Sequence, residues 1–357
     1  MIIGILGMPL SGKTTIFNLI TSQQKHTDSF LSPKTKNIGV VKVIDERLDY
    51  LGAVHQGKKI VYATLEIIDI PGISTEVPNK LKQEIFSQIQ NSDALLMVIR
   101  VFKDEAIPGE TNPVRQLENL VYEIILRDLE LIENRIDKLA PTKRKLTIQE
   151  ENEKRILERC AQHLGDGRLL INLPLNEEEI KLLSGYAFYS LKPVIVVVNL
   201  DEEQLRQNRF QDQEKFNQII QEYQMASIPI CGKIEMEINE LTDEERLPFL
   251  EDLGFTESGI KRVITTLFQY LGLVSFFTIG KDEVKAWTIR CGTPAVKAAG
   301  KIHSDMERGF IRAEIVDFNN FKDLGSMQKV KEKGLLKIEG KEYLIEDGNI
   351  VYFRFNV

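Results

Sequence analysis

Two hydrophobic rhythms run along the chain. Residues 2–6 (IIGIL), 94–99 (ALLMVI) and 193–198 (PVIVVV) are apolar with no polar alternation. Strands covered on both faces, as in a parallel sheet, lose that alternation, so these segments read as buried strands. Residues 13–22, 79–90, 176–183, 211–224, 240–253 and 257–270 read as helices. Residues 38–44 and 61–68 read as further strands, separated by a connection of about hairpin length that carries Gly52 and Gly57. Ser227–Ile230 reads as a short strand, and Cys231-Gly232-Lys233 as a loop after it. The polar segments 23–37, with Pro33, and 103–114, with two prolines, read as loops. Strands alternating with helices predict an α/β domain with a parallel-rich sheet.

Two stretches break this rhythm. Leu117, Leu120, Val121 and Ile124 fall at i, i+3, i+4 and i+7, and Ile125, Leu129, Ile132, Ile136 and Leu139 continue the series. APTKRK at 140–145 interrupts it, and a more charged helix follows over 147–163. The pattern predicts an antiparallel helical hairpin projecting from the sheet domain. From residue 275 the chain turns to short strands such as VSFFTIG, AWTIRCG, IRAEIVDF and VYFRFNV, with few helices. The expected organisation is an α/β domain over 1–272, interrupted by a helical arm at 115–165, and a second compact domain over 275–357.

The chemistry concentrates at residues 7–15, GMPLSGKTT, between the first strand and the first helix. Gly7, four residues, Gly12, Lys13 and Thr14 match the phosphate-loop spacing GxxxxGK[ST]. Backbone N–H groups around Gly12 and at the helix start suit a phosphate. Lys13 would reach the β- and γ-phosphate oxygens, and the Thr14 hydroxyl would bind Mg²⁺. Leu10, Ser11 and Thr15 complete the loop. Asp69-Ile70-Pro71-Gly72 ends a strand in the DxxG arrangement. Asp69 would hold the Mg²⁺ ion through a water, and the Gly72 N–H would sense a γ-phosphate.

The strand 193–198 ends in Asn199-Leu200-Asp201-Glu202. A guanine site wants Asp at the fourth place of this loop, to accept from N1–H and the 2-amino group. Glu202 stands there, and Asp201 is one residue early. Asn199 can still meet a purine edge, with Leu200 and Gly232 beside the base. The loop therefore favours ATP over GTP. Ile73 follows Gly72 where many such switches carry a water-orienting Gln, so no catalytic residue is assigned and any hydrolysis is expected to be slow.

Composition limits the partners. The formal net charge is -7 and 43% of residues are hydrophobic. Any nucleic-acid contact must then come from local basic patches such as Lys329, Lys331 and Lys333, rather than from a global field. The three cysteines, Cys160, Cys231 and Cys291, lack disulfide or zinc spacing and fit a reducing compartment. The sequence shows no signal-peptide pattern and no membrane-spanning run, so a cytoplasmic protein is expected, with no membrane contact.

The whole chain resembles the YchF type of Obg-like ATPases, a branch of the translation-factor P-loop proteins. DIPG at 69–72, PVIVVVNLDE at 193–202, LEDLGF at 250–255 and the tract from Leu271 to Phe318 carry the resemblance, together with the ending EGKEYLIEDGNIVYFRFNV. The resemblance implies a ubiquitin-like TGS domain over 275–357 and a coiled-coil arm over 115–165. It implies ATP preference through Asn199 and Glu202 and a link to ribosomes; with Mg²⁺ as the cofactor read from the motif residues, the chain is expected to act as a monomer on the large ribosomal subunit or its RNA. The chain also departs from the family. Its phosphate loop usually reads GxPNVGKS, but Leu10 and Ser11 replace Asn and Val, so potassium stimulation is not expected. Asn37 and Gly39 of the first switch remain, while Pro33 fills the Thr slot and Thr35 is displaced. The segment after DxxG is shortened, and 101–113 lacks the His linked to hydrolysis. A nucleotide-binding module without hydrolysis, and a GTPase, stay open as alternatives.

Overall fold

The computed structural model describes residues 1–22, 36–104, 107–139 and 146–356. The first-switch positions Pro33 and Thr35, and the arm break at 140–145, lie outside the described residues. The chain forms two compact units, one of residues 1–40 and 66–266, the other of 41–65 and 267–357.

The elements run β1 (Ile2–Gly7), α1 (Lys13–Thr21), β2 (Asn37–Val43), α2 (Glu46–Val54), β3 (Lys59–Val61), β4 (Ala63–Asp69), α3 (Asn79–Ser87) and β5 (Ala94–Arg100). Then come α4 (Pro113–Leu139), α5 (Ile148–Gly165), α6 (Glu177–Leu183), β6 (Val194–Asn199), α7 (Glu202–Gln207), α8 (Gln213–Glu222) and β7 (Ala226–Ile230). Helices α9 (Gly232–Glu240), α10 (Asp243–Asp252) and α11 (Gly259–Tyr270) follow.

The first sheet has the order β2-β4-β1-β5-β6-β7. The pairs β1–β4, β1–β5, β5–β6 and β6–β7 are parallel. Every residue of β5 and β6 is buried, which is why neither alternates. The carboxyl ends of β1, β4 and β6 carry the phosphate loop, Asp69 and Asn199, where ligands of open α/β sheets bind.

Helix α4 does two jobs. In its first half Leu117, Leu120, Val121 and Ile124 join the core that covers the sheet. Gln116 is fully buried and brackets the end of β5, accepting from the Arg100 N–H (3.0 Å) and donating to the Arg100 carbonyl (2.6 Å). The region expected to be arm from 115 onward is thus a layer of the sheet domain in its first half. The second half pairs with α5: Arg135 forks onto Glu153 at 2.9 and 2.8 Å, joining the end of one helix to the start of the next. That pairing is antiparallel.

The second unit holds β8 (Leu273–Ile279), β9 (Glu283–Arg290), α12 (Ala295–Ile302), α13 (Ser304–Arg308), β10 (Phe310–Asp317), α14 (Phe318–Leu324), α15 (Met327–Glu332), β11 (Lys337–Glu339) and β12 (Asn349–Phe355). Its sheet order is β11-β10-β12-β8-β9-β3, with β8 and β9 an antiparallel hairpin and β12 parallel to β8. A first hairpin with the last strand parallel at the centre is the order expected of a ubiquitin-like fold. Within 275–357, four short helices pack on the sheet, more than the strand-rich pattern suggested, because Ala295, Ala298, Ala299, Phe318 and Phe321 are core residues.

The connection between 44 and 61 is not a hairpin. Asp45 caps α2 by accepting from the Arg47 N–H (3.0 Å), and Leu48 and Leu51 bury against Phe277 and Phe318 of the second unit. Arg47 donates to Asp347 (2.6 Å), whose carboxylate also accepts from the Ser275 N–H (2.8 Å). Strand β3 pairs in parallel with β9. These contacts place 41–65 in the second unit, although the sequence pattern kept them in the first domain.

Candidate nucleotide-binding site

The phosphate loop turns on two left-handed residues, Gly12 at φ 88° and Leu10 at φ 63°. At Gly12 a side chain is doubly excluded, because a Cβ there would also lie 2.4 Å from Asn199 Nδ2. Leu10 carries the conformational cost itself. Asn, the residue the family pattern has here, tolerates this region better than a branched apolar side chain. The Ile16 N–H donates to the Gly12 carbonyl (2.9 Å), so α1 starts directly after the loop. The first N–H groups of a helix have no partner within the helix and can meet a ligand.

Lys13 is buried, and burial pushes its pKa down while the Asp69 carboxylate pulls it up. A buried ammonium with one nearby carboxylate is suited to a polyanion. Thr14 Oγ1 donates to Asp69 Oδ2 (2.9 Å), and Asn37 Nδ2 reaches the same oxygen (3.4 Å). Among the described residues, Asp69 Oδ1 and Ser11 Oγ are buried without a hydrogen-bond partner. Gly72 approaches the loop so closely that a Cβ would lie 2.6 Å from the Pro9 nitrogen, and the Ile73 N–H donates to the Gly7 carbonyl (3.0 Å). The DxxG segment is thereby docked on the phosphate loop.

Asn199 links this end to the base end. Its Nδ2 donates to the Ser11 carbonyl (3.1 Å) and its Oδ1 accepts from the Gly232 N–H (3.1 Å). Gly232 is the first residue of α9 rather than part of a loop, with Cys231 before it. A Cβ on Gly232 would meet Asn199 and Thr15. Leu200 is buried, its N–H bonded to the Ile230 carbonyl (2.8 Å). Asp201 is consumed as the cap of α7, accepting from the Gln204 N–H (2.9 Å). Glu202 is exposed and pairs with Arg206 one turn along the same helix (3.1 Å).

The structure therefore gathers Ser11, Gly12, Lys13, Thr14, Thr15, Asp69, Gly72, Asn199 and Gly232. It leaves Glu202 on its own helix. Two contributors escaped the motif reading. Pro9 is the wall for Gly72, and Asn37, known only as a remnant of the first-switch pattern, reaches Asp69. Arg100 is a third. It is buried at the end of β5 and donates to the carbonyls of Phe102 (3.2 Å), Ile107 (2.9 Å) and Pro108 (3.1 Å), fixing the loop that lacks a His.

A parallel sheet with a phosphate loop after its first strand and DxxG after a neighbouring one defines a P-loop nucleotide-binding protein of the G-protein type. Residues 2–135 match the family model described as "50S ribosome-binding GTPase", and 273–356 match YchF-GTPase_C, described as a protein of unknown function. The chain is 34% identical over 360 residues to the "Ribosome-binding ATPase YchF" of Haemophilus ducreyi, covering 99% of both proteins. It is 37% identical over 374 residues to the protein of that name from Mycoplasma genitalium, again covering 99% of both. The solved structure of the Schizosaccharomyces pombe YchF GTPase superposes with a TM-score of 0.85 at 29% identity, covering 99% of this chain and 97% of that one. The chain belongs to the YchF family.

Proposed function

We propose that the protein is a Mg²⁺-dependent ATP-binding switch that hydrolyses ATP slowly and acts on the ribosome. The observation that carries this reading is the buried cluster of Lys13, Thr14 and Asp69 at the phosphate loop. Its donor set fits Mg²⁺. The Thr14 hydroxyl hydrogen is committed to Asp69 Oδ2, leaving the hydroxyl oxygen's lone pairs for a cation, and Asp69 Oδ1 has no partner among the described residues. Thr14 and Asp69 would hold the ion, which supplies charge neutralisation on the β- and γ-phosphates. Lys13 grips the same oxygens, and Gly72 sits where a γ-phosphate is sensed.

ATP is favoured by Glu202 at the fourth place of the base loop. Ribosome association follows the names of the relatives, which are ribosome-binding ATPases. The large subunit is the expected surface, with the protein acting as a monomer in the cytoplasm. The proposed domains are a nucleotide-binding part over 1–40 and 66–266, including the arm, and a TGS domain over 275–357 that packs with residues 41–65 in one unit.

Single-turnover phosphate release tests the proposal. ATP should bind more tightly than GTP, and release should be slow, faster with ribosomes, and equal in sodium and potassium. Preference for GTP would overturn the base assignment. A second reading, binding without hydrolysis, is favoured by Ile73. This side chain is buried and offers no group to orient water, and its N–H is already bonded to Gly7. No release from bound ATP, even with ribosomes, would select that reading.

A further inference from the structure

Helix α3 follows the DxxG segment through residues 70–78, a short tether stiffened by Pro71 and Pro78. The tether turns at Ser74, whose carbonyl accepts from the Val77 N–H (3.2 Å), and α3 begins where the Lys82 N–H donates to the Pro78 carbonyl (3.0 Å). The far side of α3 is not free. Lys82 is buried and ion-paired with Glu123 of α4, itself buried. One turn further along α4, Arg127 is buried beside Glu130 (2.8 Å), and Gln83 donates to the same Glu130 oxygen (3.0 Å). Glu123, Arg127 and Glu130 stand at i, i+4 and i+7, so this charged stripe runs along one face of α4 toward the arm. A third tie holds the end of α3. Tyr189 donates through its hydroxyl to the Phe86 carbonyl (2.9 Å), and its ring packs edge-on against Phe86. Tyr189 is in turn fixed to α4, because Asp128 accepts from the N–H groups of Tyr189 (2.9 Å) and Ser190 (2.7 Å).

A charged stripe is an unusual way to pack two helices in a core. Apolar residues there would be as stable or more so, whereas removing one partner of a buried pair leaves the other charge buried and uncompensated. The pair therefore forbids α3 from sliding on α4 without α4 following. We propose that Lys82 is a positioning residue for the nucleotide site: through Glu123 it joins the DxxG segment to the root of the helical arm, so that arm displacement by a partner alters nucleotide affinity. Reciprocally, the γ-phosphate biases the arm by the same free energy. The inference rests on the ATP-switch reading and adds the route by which a partner acts on it.

The test uses the full chain, with Mg·ATP and Mg·ADP titrated calorimetrically into wild type, Glu123→Gln, and Lys82→Met combined with Glu123→Leu. The apolar pair should keep the melting temperature near wild type. The ratio of ATP to ADP affinity should change about fivefold or more in the variants, the low end of common coupling energies. A ratio within twofold of wild type in folded variants would overturn the coupling and leave the switch reading intact. A wild type that binds neither nucleotide would overturn both. Hydrogen exchange on wild type provides an arm without mutations: ATP in place of ADP should change protection in 79–87 and 115–139 together. Changes that stop at residue 78 would overturn the proposal.

Discussion

The two ends of the nucleotide site are built to different degrees. At the phosphate end the groups are already in place: Gly72 lies against Pro9, Thr14 is bonded to Asp69, and Lys13 is buried beside that carboxylate. At the base end Glu202 is in solvent, held by Arg206, and Asp201 serves its own helix. Asn199 stands between them with one amide atom on each side. Phosphate recognition relies on backbone and buried charge, which the fold fixes before a ligand arrives. On the reading proposed above, base selection would fall to one exposed carboxylate that must leave a surface ion pair, and such a pair is worth at most about 1 kcal/mol. Triphosphate affinity should therefore be robust, and base preference easy to move.

The largest effect should come from Lys13→Ala. Loss of its charge-assisted hydrogen bonds to the phosphates should cost about 3 kcal/mol, a weakening on the order of 100-fold for ATP by calorimetry. Unchanged affinity would remove the phosphate end from the account. Asn199→Ala should come next. It leaves the Ser11 carbonyl and the Gly232 N–H buried without partners, at about 2–4 kcal/mol of stability in thermal or denaturant unfolding. ATP affinity should fall with it. If the protein melts normally, Asn199 is not the tie between the two ends.

Glu202→Asp addresses the base end alone. It should raise GTP affinity relative to ATP by about tenfold, or 1.4 kcal/mol, with no change in melting temperature. An equal ratio before and after would sink the base assignment. The smallest effect is Leu10→Asn. Asn is less strained at φ 63°, so stability should rise by about 1 kcal/mol, seen as a melting point a few degrees higher. A lower melting point would show that the Leu10 side chain contributes more by packing than its backbone costs.

The same contrast separates what could be read in the sequence from what could not. Uninterrupted apolar runs were enough to place β1, β5 and β6, because a strand buried on both faces has no polar position to confuse the pattern. The GxxxxGK[ST] spacing conveys the loop because its glycines answer to local backbone geometry. Helix α2 and strand β3 were missed for the opposite reason. They are held by partners far along the chain, Arg47 on Asp347 and β3 on β9, and no local window contains those contacts. The short α7 and all of α9 were missed beside the base loop, where Gly232 was read as ligand-facing and Asp201 as one residue out of register; both serve as helix ends. The first half of α4 has the same periodicity whether it meets a sheet or a second helix, so the boundary of the arm was not legible from spacing alone.

The most direct test of a preformed phosphate end with an adjustable base end is a titration of the wild-type protein with ATP and GTP, each with and without Mg²⁺. Mg²⁺ should tighten both nucleotides by a similar factor if Thr14 and Asp69 act on the phosphates, and ATP should stay the tighter ligand in both conditions. Binding that ignores Mg²⁺, or a Mg²⁺ effect confined to one base, would contradict this division of the site.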